Sequence, residues 1–79
     1  MTSETKRIKI LIAMNETKML LIKAEKRYND TLECIARDES EGFTVQDGWI
    51  TYRESDKKKV DQLKAHIEKL NGMLSGLAT

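Results

Sequence analysis

The 79-residue sequence has no proline, and it contains one cysteine, one histidine and four glycines. The single cysteine, Cys34, excludes an intrachain disulfide, and with His66 as the lone histidine a clustered set of metal ligands is not expected. No apolar run is long enough to cross a bilayer, so a membrane partner is not expected. We therefore expect no metal and no cofactor, and we expect a cytoplasmic protein with a reduced thiol.

Neither sign of charge dominates, because 14 Lys and Arg face 13 Asp and Glu for a formal net charge of +1. This balance argues against a protein built to coat nucleic acid, which is at most a secondary partner. The composition, 34% charged and 39% hydrophobic, is typical of long amphipathic helices. A chain of this length buries only ~60–65% of its unfolded surface, so it is marginally stable alone and partners are expected.

The stretch before Gly42 contains no glycine and predicts one helix from about residue 3 to 37, with Thr2 or Ser3 as its N-cap. Its apolar residues recur at helical spacing along one stripe: Ile10, Met14, Leu21, Ala24, Tyr28, Leu32 and Ile35. A competing interpretation makes residues 7–12 a strand and restarts the helix at Asn15. We rank it second because the helical stripe continues through those residues.

The segment from Phe43 to Tyr52 reads FTVQDGWITY and predicts a β-hairpin. Asp47-Gly48 is a preferred type I′ turn, and β-branched and aromatic residues flank it. Alternation would place four residues on one face, with Trp49 on the other: Phe43, Val45, Ile50 and Tyr52.

A second helix is predicted to start at Ser55 or Asp56. Its seam repeats at spacings of three and four: Val60, Leu63, Ile67, Leu70, Leu74 and Leu77. The predicted fold class is therefore α+β and mostly helical. It consists of a long helix, a β-hairpin and a second antiparallel helix in one domain spanning residues 1–79.

The two predicted helices differ in length, roughly 50 Å against roughly 30 Å at 1.5 Å per residue. The second would reach only to about residue 15, leaving residues 1–14 as a helical extension. A second apolar stripe lies in the first half of the long helix: Ile8, Leu11, Ile12, Met19 and Ile22. Leaving such side chains in water forfeits ~1.5–3 kcal/mol each, so we predict that this stripe binds a second copy or a larger protein. The alternative, an N-terminal segment that folds back over the helix pair, stays open.

Two further groups of residues are candidate contact sites. Trp49 either anchors an interface or lies over the aliphatic stem of a neighbouring basic residue. Lys57, Lys58 and Lys59 would lie in the first turn of the second helix, where free N–H groups favour an anion or nucleic-acid contact. An ordinary solvated charge run explains the three lysines more simply. No nucleophile, acid–base pair or phosphate-binding loop is recognisable, so an enzyme is not expected.

Residues 24–74 carry a pattern that extends beyond these separate elements. The segment TVQDGWITYRESDKKKVDQLKAHIEKLNGM, preceded by Ala24, Tyr28 and Leu32 at a spacing of four, resembles the phage head-to-tail joining protein W family. Two features depart from that family: the acidic connection at 38–42, and the residues through Met14. The resemblance implies a helix–hairpin–helix fold and a ring-forming adaptor that docks on a portal and receives a tail component, in the host cytoplasm or the virion.

Three functional hypotheses follow from these observations. The first is a non-enzymatic phage-type adaptor that oligomerises and bridges larger partners, in head-to-tail joining or head completion. The second is a phage-encoded inhibitory or regulatory protein that blocks a host defence or nucleic-acid enzyme. The third, a nucleic-acid binder, is disfavoured by the charge balance and would use these residues: Lys6, Arg7, Lys9 and Lys57–Lys59.

Overall fold

Two long helices run antiparallel along nearly the whole chain in the computed structural model, which describes residues 2–77. Helix α1 spans Ser3–Ser40 and helix α2 spans Asp47–Leu77, so they contain 38 and 31 residues. Residues 41–46 connect them. The pair forms a rod of 60 × 16 × 14 Å. The ends of the predicted domain, at residues 1 and 78–79, lie outside the described residues.

Helix α1 begins at a side-chain cap. Thr2 has an extended backbone, and its hydroxyl oxygen accepts a hydrogen bond of 3.2 Å from the backbone N–H of Thr5. This satisfies one of the amide groups that a helix start leaves without a partner, and Glu4 in the first turn suits the positive end of the helix dipole. The predicted cap at Thr2 is therefore confirmed. The helix continues without a break through residues 7–12 and Asn15, so the strand interpretation of that stretch is wrong.

Gly42 ends α1. Its φ of +80° lies in the left-handed region that glycine adopts without strain. The N–H of Gly42 donates to the carbonyl of Glu39 at 3.1 Å, and the N–H of Phe43 donates to that of Asp38 at 2.9 Å. This pair of bonds is a Schellman motif, which gives partners to carbonyl groups at the helix end.

The predicted β-hairpin is wrong. Residues 43–46 are loop and residues 47–52 form the first turns of α2, so the fold over residues 2–77 is an all-helical hairpin and not α+β. Gly48 lies in this first turn, and its φ is not positive. A lone two-stranded hairpin is marginal in water because little supports it. As helix, the same segment continues the heptad of α2 backwards from Val60 and packs on α1.

The earlier start of α2 also corrects the predicted length mismatch. Because α2 begins at Asp47 and not at Ser55 or Asp56, it covers more of α1. Its last described residue, Leu77, lines a common groove with Ser3 and Arg7. Residues 3–14 therefore lie beside α2 and do not extend beyond it.

The two helices meet along seams in which spacings of three and four alternate, the pattern of a coiled coil. On α1 the facing residues are Ile10, Met14, Thr17, Leu21, Ala24, Tyr28, Thr31 and Ile35. On α2 they are Trp49, Arg53, Asp56, Val60, Leu63, Ile67, Leu70, Leu74 and Leu77. Leu32, predicted in the buried stripe, is exposed, and its neighbour Thr31 is buried in its place. The core is thin, since no side chain among the described residues is completely enclosed.

Two glycines provide a matched test of this chain path. Gly42→Ala should lower the free energy of unfolding by ~1–2 kcal/mol, because an alanine in the left-handed region clashes with its own backbone. Gly48→Ala should leave it unchanged or raise it by up to ~1 kcal/mol, because Gly48 is helical and nothing lies near the site of an added Cβ. Urea unfolding followed by circular dichroism measures both. If Gly48→Ala proves the more damaging, the hairpin turn would be at Gly48 after all.

Candidate functional site

A buried polar cluster fixes the position of α2 along α1. Asp56 is 8% exposed, and one of its carboxylate oxygens lies 3.0 Å from the hydroxyl of Thr31. The other lies 3.3 Å from Nε of Arg27, whose side chain is 71% exposed. The Thr31 hydroxyl also lies 3.1 Å from the carbonyl of Arg27, but its single proton can serve one acceptor at a time. Donation to Asp56 is favoured because a bond to an ionised carboxylate is the stronger one.

Asp56 therefore has a different role from the N-cap predicted for it. It occupies a seam position inside α2, four residues before Val60 and three after Arg53. The spacing of the seam could have revealed this, but the partner residue, Thr31, is 25 positions away and no sequence signal connects the two. Polar residues at single seam positions of coiled coils select one register, because any other register buries them without partners.

The second apolar stripe of α1 faces solvent. We call it the outer face, defined by Ile8, Leu11, Ile12, Asn15, Met19 and Ile22. Its five aliphatic side chains are between 44% and 69% exposed. At 3.6 residues per turn these positions lie about half a turn away from the stripe that contacts α2. These side chains are thus exposed by their orientation, and not because α2 fails to reach them.

A groove on this face is lined by six residues: Ile8, Leu11, Ile12, Met14, Asn15 and Lys18. Met14, which also belongs to the stripe that contacts α2, is the buried residue in this lining. A contiguous apolar surface on a chain this small is the kind of feature that marks an interaction site.

Three of the four aromatic residues gather at the loop end of the rod. We call this group, Phe43, Trp49 and Tyr52, the aromatic end. The rings of Trp49 and Tyr52 meet edge to face, with centroids 6.1 Å apart and an interplanar angle of 63°. Trp49 is half-buried, whereas Phe43 and Tyr52 are exposed. The prediction that Trp49 and Tyr52 lie on opposite faces of a hairpin is wrong, because one helical turn brings them together.

The three consecutive lysines, Lys57, Lys58 and Lys59, are exposed on α2. They lie about three turns inside the helix, so their backbone N–H groups are bonded within it and cannot converge on an anion. The other basic group, at Lys6, Arg7 and Lys9, lies in the first turns of α1. Given the Thr31–Asp56 register, the two groups are separated by about 35 Å along the rod and form no continuous basic surface. Nucleic-acid contact at either group stays a prediction.

The remaining candidates are placed as follows. Cys34 is half-buried, with Nη2 of Arg37 at 3.8 Å from its sulfur, and His66 is exposed. Across residues 2–77, His, Cys, Asp and Glu side chains do not gather in groups of three or more with the geometry to hold a metal ion. Neither described helix has an apolar stretch of the length that a bilayer crossing needs.

Comparison with known proteins finds no matching family model, no matching curated protein and no matching solved structure. The rod offers two surfaces to a partner: the outer face on the first half of α1, and the aromatic end where the helices are joined.

Two threonines test whether the polar cluster holds the register. Thr31 and Thr17 are both 6% exposed and both lie in hydrogen-bond reach of the carbonyl four residues earlier, but only Thr31 also reaches α2. Thr31→Val should lower the free energy of unfolding by ~1–3 kcal/mol, because it leaves a buried carboxylate oxygen without its donor. Thr17→Val should change it by less than ~1 kcal/mol, because that hydroxyl bonds only within its own helix.

The double variant Thr31→Val/Asp56→Leu distinguishes the stability lost with the Thr31–Asp56 hydrogen bond from the stability lost through altered core packing. Replacing both partners by apolar groups should recover most of the loss, because no unpaired polar group then remains. Chemical unfolding of the unmutated chain, Thr31→Val, Asp56→Leu and the double variant measures the coupling between the two side chains. Equal losses at Thr17 and Thr31 would contradict a register-setting role.

Proposed function

We propose that this protein is a non-enzymatic structural adaptor, which self-associates through the outer face of α1 and contacts a larger partner through the aromatic end. The observation that carries the proposal is the outer face itself, five large aliphatic side chains that the hairpin leaves 44–69% exposed. These are the residues that the apolar pattern of the sequence selects: Ile8, Leu11, Ile12, Met19 and Ile22.

The magnitudes support association of moderate strength. Full burial of one such side chain contributes ~1.5–3 kcal/mol, so the half that remains exposed offers roughly 1 kcal/mol each. Ten of them in a pair of chains give roughly 10 kcal/mol, which is comparable with the ~4–15 kcal/mol that association costs in lost freedom of motion. The outer face thus supplies a driving force of the same order as the cost of pairing, so pairing through it is expected to be reversible.

The aromatic end supplies a second surface. Phe43 and Tyr52 are exposed beside the half-buried Trp49. Aromatic side chains offer large apolar area with few rotatable bonds, which is why they are enriched at the centres of protein interfaces. The two surfaces lie towards opposite ends of a 60 Å rod. A chain that binds its own copy near one end and a different protein at the other can bridge larger bodies.

The biological setting is a separate part of the proposal. A role in head-to-tail joining or head completion was suggested by the sequence resemblance. That resemblance included strands at 43–52, but this segment is loop and helix here. The role therefore stays a prediction, as does action in the host cytoplasm or the virion. The alternative, an inhibitory protein that blocks a host enzyme, would use the same aromatic end but has no need for self-association.

Oligomeric state tests the proposal. Ile8→Lys/Ile12→Lys should lower the mass measured by light scattering after size exclusion and leave helical circular dichroism nearly unchanged, because both side chains face away from α2. A matched control is Phe43→Lys/Met73→Lys, which places two lysines at similarly exposed apolar positions away from the outer face and should leave the mass unchanged.

Two results would count against the proposal. An unmutated protein that remains monomeric at millimolar concentration would remove self-association. A mass that falls equally in the control variant would show that general hydrophobicity drives association, and not the outer face.

A further inference from the structure

The order of the central residues along the outer face is symmetric. Binding to an unrelated partner would not require such symmetry. The central positions of this face are Ile8, Leu11, Asn15, Met19 and Ile22, with successive spacings of three, four, four and three residues. Read from either end, the order is the same: two large apolar residues, Asn15, and two large apolar residues. These five positions are thus palindromic about Asn15, whereas the sixth residue of the outer face, Ile12, has Lys18 at its mirror position.

A palindromic stripe fits a second copy of itself when the two helices run antiparallel. In a two-fold pair centred on residue 15, each position faces the one equally far from Asn15 on the other chain. Ile8 then meets Ile22 of the second copy, Leu11 meets Met19, and Asn15 meets Asn15. A two-fold interface uses the same patch on both subunits, so self-complementarity of this kind is its requirement.

We infer that two copies of this chain pair through α1 about a two-fold axis at Asn15, with the helices antiparallel. The inference rests on the proposed self-association and deepens it, because it fixes which residues meet.

The charges at the ends of the stripe decide between antiparallel and parallel pairing. Glu4 lies four residues before Ile8 and Lys26 four residues after Ile22, and both are exposed. In the antiparallel pair Glu4 of each chain faces Lys26 of the other, which forms two attractive contacts. A parallel pair in register would oppose Glu4 to Glu4 and Lys26 to Lys26. Like charges brought together at an interface are destabilising, so the parallel arrangement is disfavoured.

Asn15 suits a position on the axis. It is the single polar residue among the five central positions of the stripe. At the axis its amide meets the identical amide of the second copy, and one can donate while the other accepts. An asparagine at such a position costs stability but selects one register, because any shift leaves two amides against aliphatic side chains.

The position of α2 in each chain leaves room for the two α1 helices to pair. The outer face lies about half a turn from the stripe that contacts α2. The two α1 helices can therefore approach each other while each keeps its own α2 on the far side, so that four helices lie in a row.

Disulfide trapping with engineered cysteines tests the geometry in the full-length chain, with Cys34→Ser as the background. On oxidation with diamide, Asn15→Cys should form a covalent dimer with itself. Ile8→Cys alone and Ile22→Cys alone should not, because each lies about 21 Å from its own copy, at 14 residues and 1.5 Å per residue. An equal mixture of Ile8→Cys and Ile22→Cys should form the mixed dimer. Ala65→Cys, exposed on α2, is the control and should not cross-link.

The possible outcomes separate this inference from the function on which it rests. A dimer by light scattering that traps Ile8→Cys with itself would show parallel pairing and overturn the inference, while self-association stands. A dimer that traps none of the cysteines would also overturn it. A monomer at millimolar concentration removes both.

Asn15→Leu gives an independent measurement that needs no cross-link. With leucine at the axis, two apolar side chains bury each other, so the Kd of the pair should fall by roughly tenfold or more. Sedimentation equilibrium measures this against the parent chain and against Gln62→Leu, a substitution on exposed α2 that should leave the Kd unchanged. An unchanged Kd for Asn15→Leu would place residue 15 outside the interface and overturn the inference.

Discussion

The hydrogen bond between Thr31 and Asp56 is the contact on which the surface of the rod depends. A shift of α2 by a single residue would turn its side chains by about 100° and would bury the carboxylate without its donor. The register that avoids this places the apolar seams of both helices against each other. It also determines what is left outside, namely the aliphatic side chains on the far side of α1. One polar pair in a thin core therefore defines both the inside of the hairpin and its exposed face.

Much of the helical framework could be predicted from the sequence, because it depends on neighbouring residues. The Thr2 cap, the continuous α1 and the seam from Val60 to Leu77 all follow from local spacing. The start of α2 could not be predicted in this way. Asp47-Gly48 and four residues of mixed β-branched and aromatic character give a strong local turn and strand signal. Packing on α1 outweighs that signal, and the packing surface lies in a different part of the chain. Asp56 was misassigned for the same reason, since its partner is 25 residues away.

The residues of the outer face were predicted to lie on a different face from the stripe that contacts α2, and they are exposed there. The accompanying expectation that α2 is too short to reach them was wrong, because α2 does run alongside. This difference affects the kind of association that is expected. A helix end that α2 left uncovered would bind a partner that completes the hairpin. A second face on a helix already paired with α2 binds a partner without changing the hairpin. Asn15 had appeared only as a candidate break point. Its position at the centre of a palindrome becomes meaningful once α1 is known to be continuous.

The length of α1 beyond the outer face has a consequence for anything the protein connects. From Asn15 to Ser40, α1 continues as an unbroken helix stiffened by α2 and contains no glycine or proline at which it could bend. In the two-fold pair the aromatic ends therefore project in opposite directions and lie about 75 Å apart, at 1.5 Å per residue. Such an assembly is a rigid, elongated dimer with the same aromatic surface at each end. It would hold two attached bodies at a set spacing and orientation.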